Sequence, residues 1–287
     1  MAAGAARTQL PYKRDIGGLM DMAELNILVC VKQVPDPEGP PSAFEVDSAA
    51  RKVTPKGIPP VLSPFDENAL EAAIRVKEAA GGSITMLSVG NNLSKAVMLK
   101  ALASGADRLV TVEDPSCDQE GLDAFATASL LAAAVRKAGP FDLILTGRQA
   151  ADTNAGQVGL GLAQLLSIPA VSVAGKVEVN GGTARVETVL PDGYEVVEAS
   201  LPLLVTVSHE VGDLRYPSLM AIKKAKTLPM ETFKPADLGM EPGSLVINEI
   251  TELTAPNRER RCRLVEGESP EDAGAKLAAL LKEDKII

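Results

Sequence analysis

Short apolar runs alternate along this chain with longer stretches whose apolar residues recur at helical spacing. Residues 25–34 form an apolar run rich in Val and Ile. It is short enough to be a strand and apolar on both faces, as central parallel strands are. Residues 35–62, with "PDPEGPPS", predict a long excursion over the surface. A helix is predicted to open at Ser63 or Asp66, with Pro64 in its first turn. Leu70, Ile74 and Lys77 are spaced along it until Gly81 and Gly82 stop it. The strand "SITMLSV" follows, then a helix over 93–103, a strand over 108–112, a helix over 122–138, a strand over 141–146 and a helix over 155–166. Four successive strand–helix units predict a parallel sheet with right-handed crossovers.

After Pro169 the pattern changes to strands alone: "VSVAGKVEV", "TARVETVL", "YEVVEAS" and "PLLVTVS", separated by "NGG" and "PDG". Those are hairpin turns, so an antiparallel extension is expected at one end of the sheet. From Gly212 periodicity weakens, with Pro217, Pro229, Pro235, Pro242 and Pro256 scattered through the sequence. This reads as an extended arm reaching onto another chain and ending in a helix over 272–282. The alternative is a helix and loops packed on the same domain. The organisation expected is a disordered extension over 1–21, a Rossmann-like α/β nucleotide-binding domain over 22–211, and a docking loop with a C-terminal arm over 212–287.

Composition narrows the function. Of 287 residues 46% are hydrophobic and only 3% aromatic, which suits buried parallel strands covered by closely packed helices. No apolar run reaches the roughly 18 residues needed to span a bilayer. A net charge of -9 repels phosphate backbones, so nucleic acid is not an expected partner. Cys30, Cys117 and Cys262 are far apart without a CxxC, and His209 is the sole histidine. The expectation is a reducing compartment and no structural metal.

In an open parallel sheet, ligands bind beyond the carboxyl ends of the strands, where the strand order reverses. The candidate ends carry Cys30 and Val31 leading into Lys32, then Val89 with Gly90, then "TGRQAADTNAGQVGLG". In the last segment Gly147 and Arg148 precede a helix start, with Asp152 or Thr153 as the expected N-cap. Free amides there would favour a phosphate, and Ala155, Gly156 and Gly159 would let a ligand approach the backbone. The same residues also suit an ordinary strand-to-helix turn. There is no GxGxxG and no Walker lysine motif. Cys30 lies in an apolar strand and is expected to be inert. His209, beside Glu210, is expected to be a hydrogen-bonded structural residue. A nucleotide site without acid, base or nucleophile suggests binding rather than bond-making.

The blocks "MAELNILVCVKQVPD", "SPFDENALEAAIRVKE", "ALASGADR", "DLILTGRQAADTNAGQVG" and "LPLLVTVSHEVGDLRYPSLMAIKKAK" occur in family order and spacing. The chain resembles the β subunit of electron transfer flavoproteins from Met22 to about Gly239, and more weakly to its end. The resemblance implies a heterodimer with an α subunit that mainly holds an FAD. That flavin would carry electrons from donor dehydrogenases, such as the acyl-CoA dehydrogenase type, to a membrane quinone oxidoreductase or another acceptor. The β chain in the family's usual form buries an AMP. By position, its nucleotide contacts fall at Cys30, at Ser63, Pro64, Phe65 and Asp66, at Val89, and at Gly147, Arg148, Gln149, Ala150, Ala151, Asp152, Thr153, Asn154, Ala155, Gly156, Gln157 and Val158. Leu219 takes the position of the anchoring leucine for dehydrogenase docking, with Lys223, Lys224 and Lys226 as a basic rim. A solvated amphipathic helix is the alternative reading of that stretch.

Three departures bear on the nucleotide. Ser63 replaces the asparagine of "NPF", "DTNAGQVG" replaces the acidic "DDDCNQTG" type, and Pro37 stands where some members place an aromatic. These features resemble the electron-bifurcating branch, where a second FAD occupies the AMP site and accepts hydride from NADH. A stand-alone nucleotide-binding protein is the remoter alternative. The expected location is the bacterial cytoplasm, or the mitochondrial matrix in a eukaryote.

Overall fold

The computed structural model describes residues 24–118, 121–248, 250–255 and 262–287; the extension read from residues 1–21 lies outside them. In chain order the elements are β1 (Asn26–Cys30), β2 (Gln33–Pro35), β3 (Phe44–Asp47), β4 (Lys52–Pro55), β5 (Pro60–Leu62), α1 (Pro64–Ala80), β6 (Ser83–Gly90), α2 (Lys95–Ala103), β7 (Arg108–Glu113), α3 (Ala124–Ala138) and β8 (Leu143–Gly147). They continue as α4 (Val158–Leu166), β9 (Ala170–Asn180), β10 (Thr183–Leu190), β11 (Gly193–Ser200), β12 (Leu203–Val207), α5 (Leu219–Ala225), β13 (Met230–Phe233), α6 (Pro242–Leu245) and α7 (Pro270–Glu283).

Nine strands form one sheet in the order β11-β10-β9-β12-β8-β1-β6-β7-β13. β1 runs parallel to both β6 and β8, and β7 continues the parallel set. The expected α/β, Rossmann-like open sheet with an antiparallel extension is present, the extension being β9, β10 and β11. Successive residues of β1 face opposite layers, as strand geometry requires. Ile27 and Val29 pack in the core that includes residues of α1 and α2, Leu28 and Cys30 in the core that includes residues of α3 and α4. Small side chains let the helices lie close to the sheet: Ala69, Ala72 and Ala73 in α1, and Ala126, Ala132 and Ala134 in α3, are buried.

The helix starts follow local chemistry. Ser63 and Pro64 open α1, and Gly81, at φ +78, closes it. Asp123 caps α3 by accepting from Ala126 N. α4 departs from the expected start. It begins at Val158, with Gln157 in the cap position and no side-chain capping bond. Asp152 and Thr153 are therefore not its N-cap, because residues 151–157 form a turn and an irregular stretch before the helix.

Three further differences concern strands. The first apolar run is broken after Cys30, where the chain leaves β1 and pairs instead as β2 with β5. "PLLVTVS" does not extend the antiparallel group. β12 inserts between β8 and β9, parallel to both, and all five of its residues are buried. A strand apolar on both faces needs covered neighbours on each side, and only the interior of the sheet supplies them. At the other edge β13 pairs in parallel with β7. Thr232 Oγ1 lies 2.9 Å from Thr111 Oγ1, and Glu231 pairs with Arg108 at 2.5 Å. Part of the sequence after Gly212 thus completes the sheet.

Candidate functional site

From β1 the chain steps outward to β6 and β7, then returns to place β8 on β1's other side. The strand order reverses between β1 and β8, and there the carboxyl ends part to leave a cleft of about 330 Å³. The end of β1 (Cys30), Val89 of β6 and Thr146 with Gly147 of β8 form its floor. One wall is the start of α3, with Leu122, Asp123, Ala124, Thr127 and Leu131. The other is the stretch from Arg148 to Gly159.

Asp66 organises the floor. Its side chain projects from the first turn of α1 and is 6% exposed. Oδ2 accepts from Lys32 N at 2.8 Å and Oδ1 from Gly147 N at 3.1 Å, so one carboxylate ties together the ends of the two strands that flank the cleft. Burial pushes its carboxyl up to about 7, against the lowering by those two amides and by the Lys32 charge, with Asp152 adding to the rise. A Cβ on residue 147 would lie 2.6 Å from Asp66 Oδ1 and 2.7 Å from Phe65 carbonyl carbon. Only glycine leaves room for this arrangement. The Cys30 thiol is pushed up by burial and by Asp66, which disfavours the thiolate needed for nucleophilic chemistry.

Arg148 supplies a positive charge at the far wall. Its guanidinium lies 4.8 Å over the Phe65 ring and Nη1 is 3.4 Å from Ser208 Oγ. Its Nε is buried without a hydrogen-bond partner among the described residues. Lys32, which the sequence reading passed over as a site residue, also lines the cleft and pairs with Asp152 at 2.6 Å. Its signal was its place directly after the first strand. The first turn of α4 enters the cleft with Gln157, Val158 and Gly159, and no side chain caps it.

Of the residues singled out from sequence, the cleft brings together Cys30, Val31, Asp66, Val89, Gly147, Arg148, Gln149, Ala150, Thr153, Ala155, Gly156, Gln157, Val158 and Gly159. The others stand behind or beside it. Ser63 Oγ accepts from Ala151 N at 3.3 Å, and Asn154 Oδ1 accepts from Gln149 Nε2 at 2.9 Å. Pro64 and Phe65 form the start of α1, and Asp152 holds Lys32. Gly159 serves packing as well as access, because a Cβ there would meet Thr146 Oγ1 at 2.5 Å. Gly156 is the open position, at φ +64 with only Arg148 O within contact, at 3.5 Å.

Asp123 was not legible as a site residue. Oδ1 caps α3, while Oδ2 accepts from Ile247 N at 2.7 Å and Asn248 N at 2.9 Å. The C-terminal segment is thereby tied to the cleft wall. Burial raises the Asp123 carboxyl, but the amides of Ala126, Ile247, Asn248 and Phe125 outweigh it and hold the group below the usual range. His209 is exposed, outside the cleft, with Nδ1 3.4 Å from Glu210 Oε2. Among the described residues no group of three or more His, Cys, Asp or Glu could hold a metal ion, and no helix is long and apolar enough to cross a membrane.

Away from the cleft, Ser218 caps α5. Tyr216, Leu219 and Met220 are 90%, 80% and 75% exposed. Lys223, Lys224 and Lys226 are exposed beside them.

An open, mostly parallel sheet, a cleft at its switch point and an uncapped helix N-terminus facing into it define an α/β protein of the Rossmann-like class. Residues 52–238 match the electron transfer flavoprotein domain. The chain is 35% identical to an electron transfer flavoprotein subunit beta of Thermoanaerobacterium thermosaccharolyticum over 85% of its own length and 93% of the relative's. It is 32% identical to the caffeyl-CoA reductase-Etf complex subunit CarD of Acetobacterium woodii, over 92% of this chain and all of that one (100%). Protein FixA of Azotobacter vinelandii is 28% identical, over 90% and 94%. The chain belongs to the electron transfer flavoprotein β-subunit family.

Proposed function

We propose that this chain pairs with an α subunit and helps carry electrons from donor dehydrogenases to an acceptor, such as a quinone oxidoreductase, through an FAD held mainly by α. In this reading the cleft holds an adenine nucleotide, AMP. The observation that carries it is the convergence of the strand ends of β1, β6 and β8, the N-terminus of α4 and the Arg148 guanidinium on one cleft. Helix amides and a guanidinium suit a phosphate. The apolar floor of Cys30, Val31 and Val89, with Leu131 on the wall, suits a base. About 330 Å³ is at the small end of ligand pockets. It admits a mononucleotide, or a dinucleotide only if its second half lies outside.

A second FAD in place of AMP is the alternative, favoured by one observation. Lys32 neutralises Asp152 in the phosphate loop, leaving Arg148 and the helix amides to face a diphosphate. The flavin, when bound, supplies the redox chemistry; this chain contributes binding, orientation and exclusion of water. Leu219 and its lysine rim would dock the donor, and the C-terminal arm would pack on α. A cytoplasmic location belongs to the same reading, supported by the bacterial relatives.

Extraction of nucleotides from the purified heterodimer tests the proposal. One FAD and one AMP are expected. Two FAD without AMP, together with bleaching by NADH, would establish the bifurcating alternative. No nucleotide beyond the α-bound FAD would refute the cleft assignment.

A further inference from the structure

The segment that presents Tyr216, Leu219 and Met220 is seated on the core through Leu214, Ala221, Ile222 and Ala225, and its root is also held by polar groups of α1. Asn68, Glu71, Arg75 and Glu78 follow one another at spacings that place them along one side of that helix. Asn68 Nδ2 donates to Gly212 O at 2.7 Å. The Glu71 side chain, 5% exposed, accepts from Arg215 N, Nε and Nη2 at 3.2, 3.0 and 2.9 Å. Arg75 Nε holds the same carboxylate at 2.9 Å. Arg215 also forks onto Glu78, through Nη2 at 3.1 Å and through Nη1. One residue further on, Lys100 of α2 sits 5.8 Å from the Tyr216 ring centroid.

This is more apparatus than a surface loop needs. An arginine in a bidentate fork fixes orientation as well as position, and here it does so immediately before three strongly exposed side chains, Tyr216, Leu219 and Met220. Burial pushes the Glu71 carboxyl up, but hydrogen bonds from Arg215 and Arg75 outweigh it and keep the group charged.

We infer that Glu71 and Arg215 form a positioning clasp that preorganises Leu219 and Met220 for the electron-donor protein. The inference rests on the docking role proposed for Leu219. The clasp contributes by removing an ordering cost from association. It therefore acts on the encounter with the donor and not on flavin chemistry.

The test uses the intact heterodimer with an acyl-CoA dehydrogenase as donor, and hydrogen exchange on the heterodimer alone. Arg215→Gln is expected to raise the KM for the heterodimer roughly tenfold with kcat and flavin content nearly unchanged. Amide exchange over residues 213–222 should accelerate at least about tenfold, while the strands flanking the cleft keep their protection. Arg215→Lys should recover only part of the loss, since an ammonium keeps the charge and loses the fork. If Arg215→Gln does not fold, the double variant Glu71→Gln/Arg215→Gln removes both charges together and carries the same expectations.

Unchanged exchange over 213–222, or faster exchange with an unchanged KM, would overturn the clasp. Leu219→Ala separates the two readings. If it raises KM and Arg215→Gln does not, the clasp fails and docking stands; if it leaves KM unchanged, docking fails and the clasp's role in docking fails with it.

Discussion

Helix α1 carries two buried carboxylates little more than one turn apart, and they are held in opposite ways. At the cleft Asp66 faces two neutral backbone amides, and burial leaves it titrating at about 7. On the docking side Glu71 faces Arg215 and Arg75, and it stays ionised below its ordinary value. Burial opposes charge at both places, so partner chemistry decides the outcome. Two amides fix geometry and compensate a charge incompletely; two guanidiniums compensate it fully.

The largest expected effect is at Asp66. Asp66→Ala leaves the amides of Lys32 and Gly147 without their acceptor and should cost about 2–5 kcal/mol, with loss of bound nucleotide. Denaturant unfolding and nucleotide content read both. Wild-type stability without loss of nucleotide would remove Asp66 from the centre of the comparison.

The two carboxylates also predict opposite pH behaviour. Asp66 keeps its proton in the folded state up to about pH 7, against an ordinary value of 3.8. Its contribution is present at low pH and is lost as pH rises through that window. Glu71 is depressed, so its contribution is present above its ordinary value of 4.5 and is lost as pH falls through the folded value. Asp66→Asn should remove a slope of at most about 1.4 kcal/mol per pH unit between roughly pH 4 and 7. A stability profile parallel to wild type would contradict the assignment.

Next in size is Lys32. Lys32→Ala should weaken nucleotide retention roughly tenfold by removing a cation from the cleft, as measured by release of bound nucleotide. Asp152→Ala should not weaken it, because Asp152 caps no helix and its removal frees the Lys32 ammonium to face the phosphate. Equal losses in the two variants would restore a direct role for Asp152.

The smallest effect is expected at Asp123. Asp123→Ser keeps a capping hydroxyl for α3 but cannot reach the 247–248 backbone. It should lower stability by less than about 1 kcal/mol while speeding amide exchange at Ile247 and Asn248. Unchanged exchange there would show that Oδ2 does not hold the arm.

The strand ends at Cys30, Val89 and Gly147 were readable because apolar runs and the turn residues after them are local features. The choice of Gly147 was readable too, but not its reason, which lies in Asp66, 81 residues earlier. Gly159 was open to both ligand approach and packing in a strand-to-helix turn, and only the contact with Thr146 of the neighbouring strand shows the packing need. Local pattern showed β12 to be apolar and left its neighbours open. β13 was missed because four residues at a sheet edge, with three of them exposed, carry little periodicity.

By itself the sequence determined the strand–helix alternation, the hairpins after Pro169, the expected ligand end of the sheet and the family, since each is written in residues near one another or in their order. The tertiary structure decided which strands adjoin, where Lys32 and Asp123 point, and the charge states of Asp66 and Glu71. The last depends on Arg215, 144 residues from Glu71. Burial and partner charge arise only when distant segments meet, and those two quantities set what a carboxylate on a helix can do.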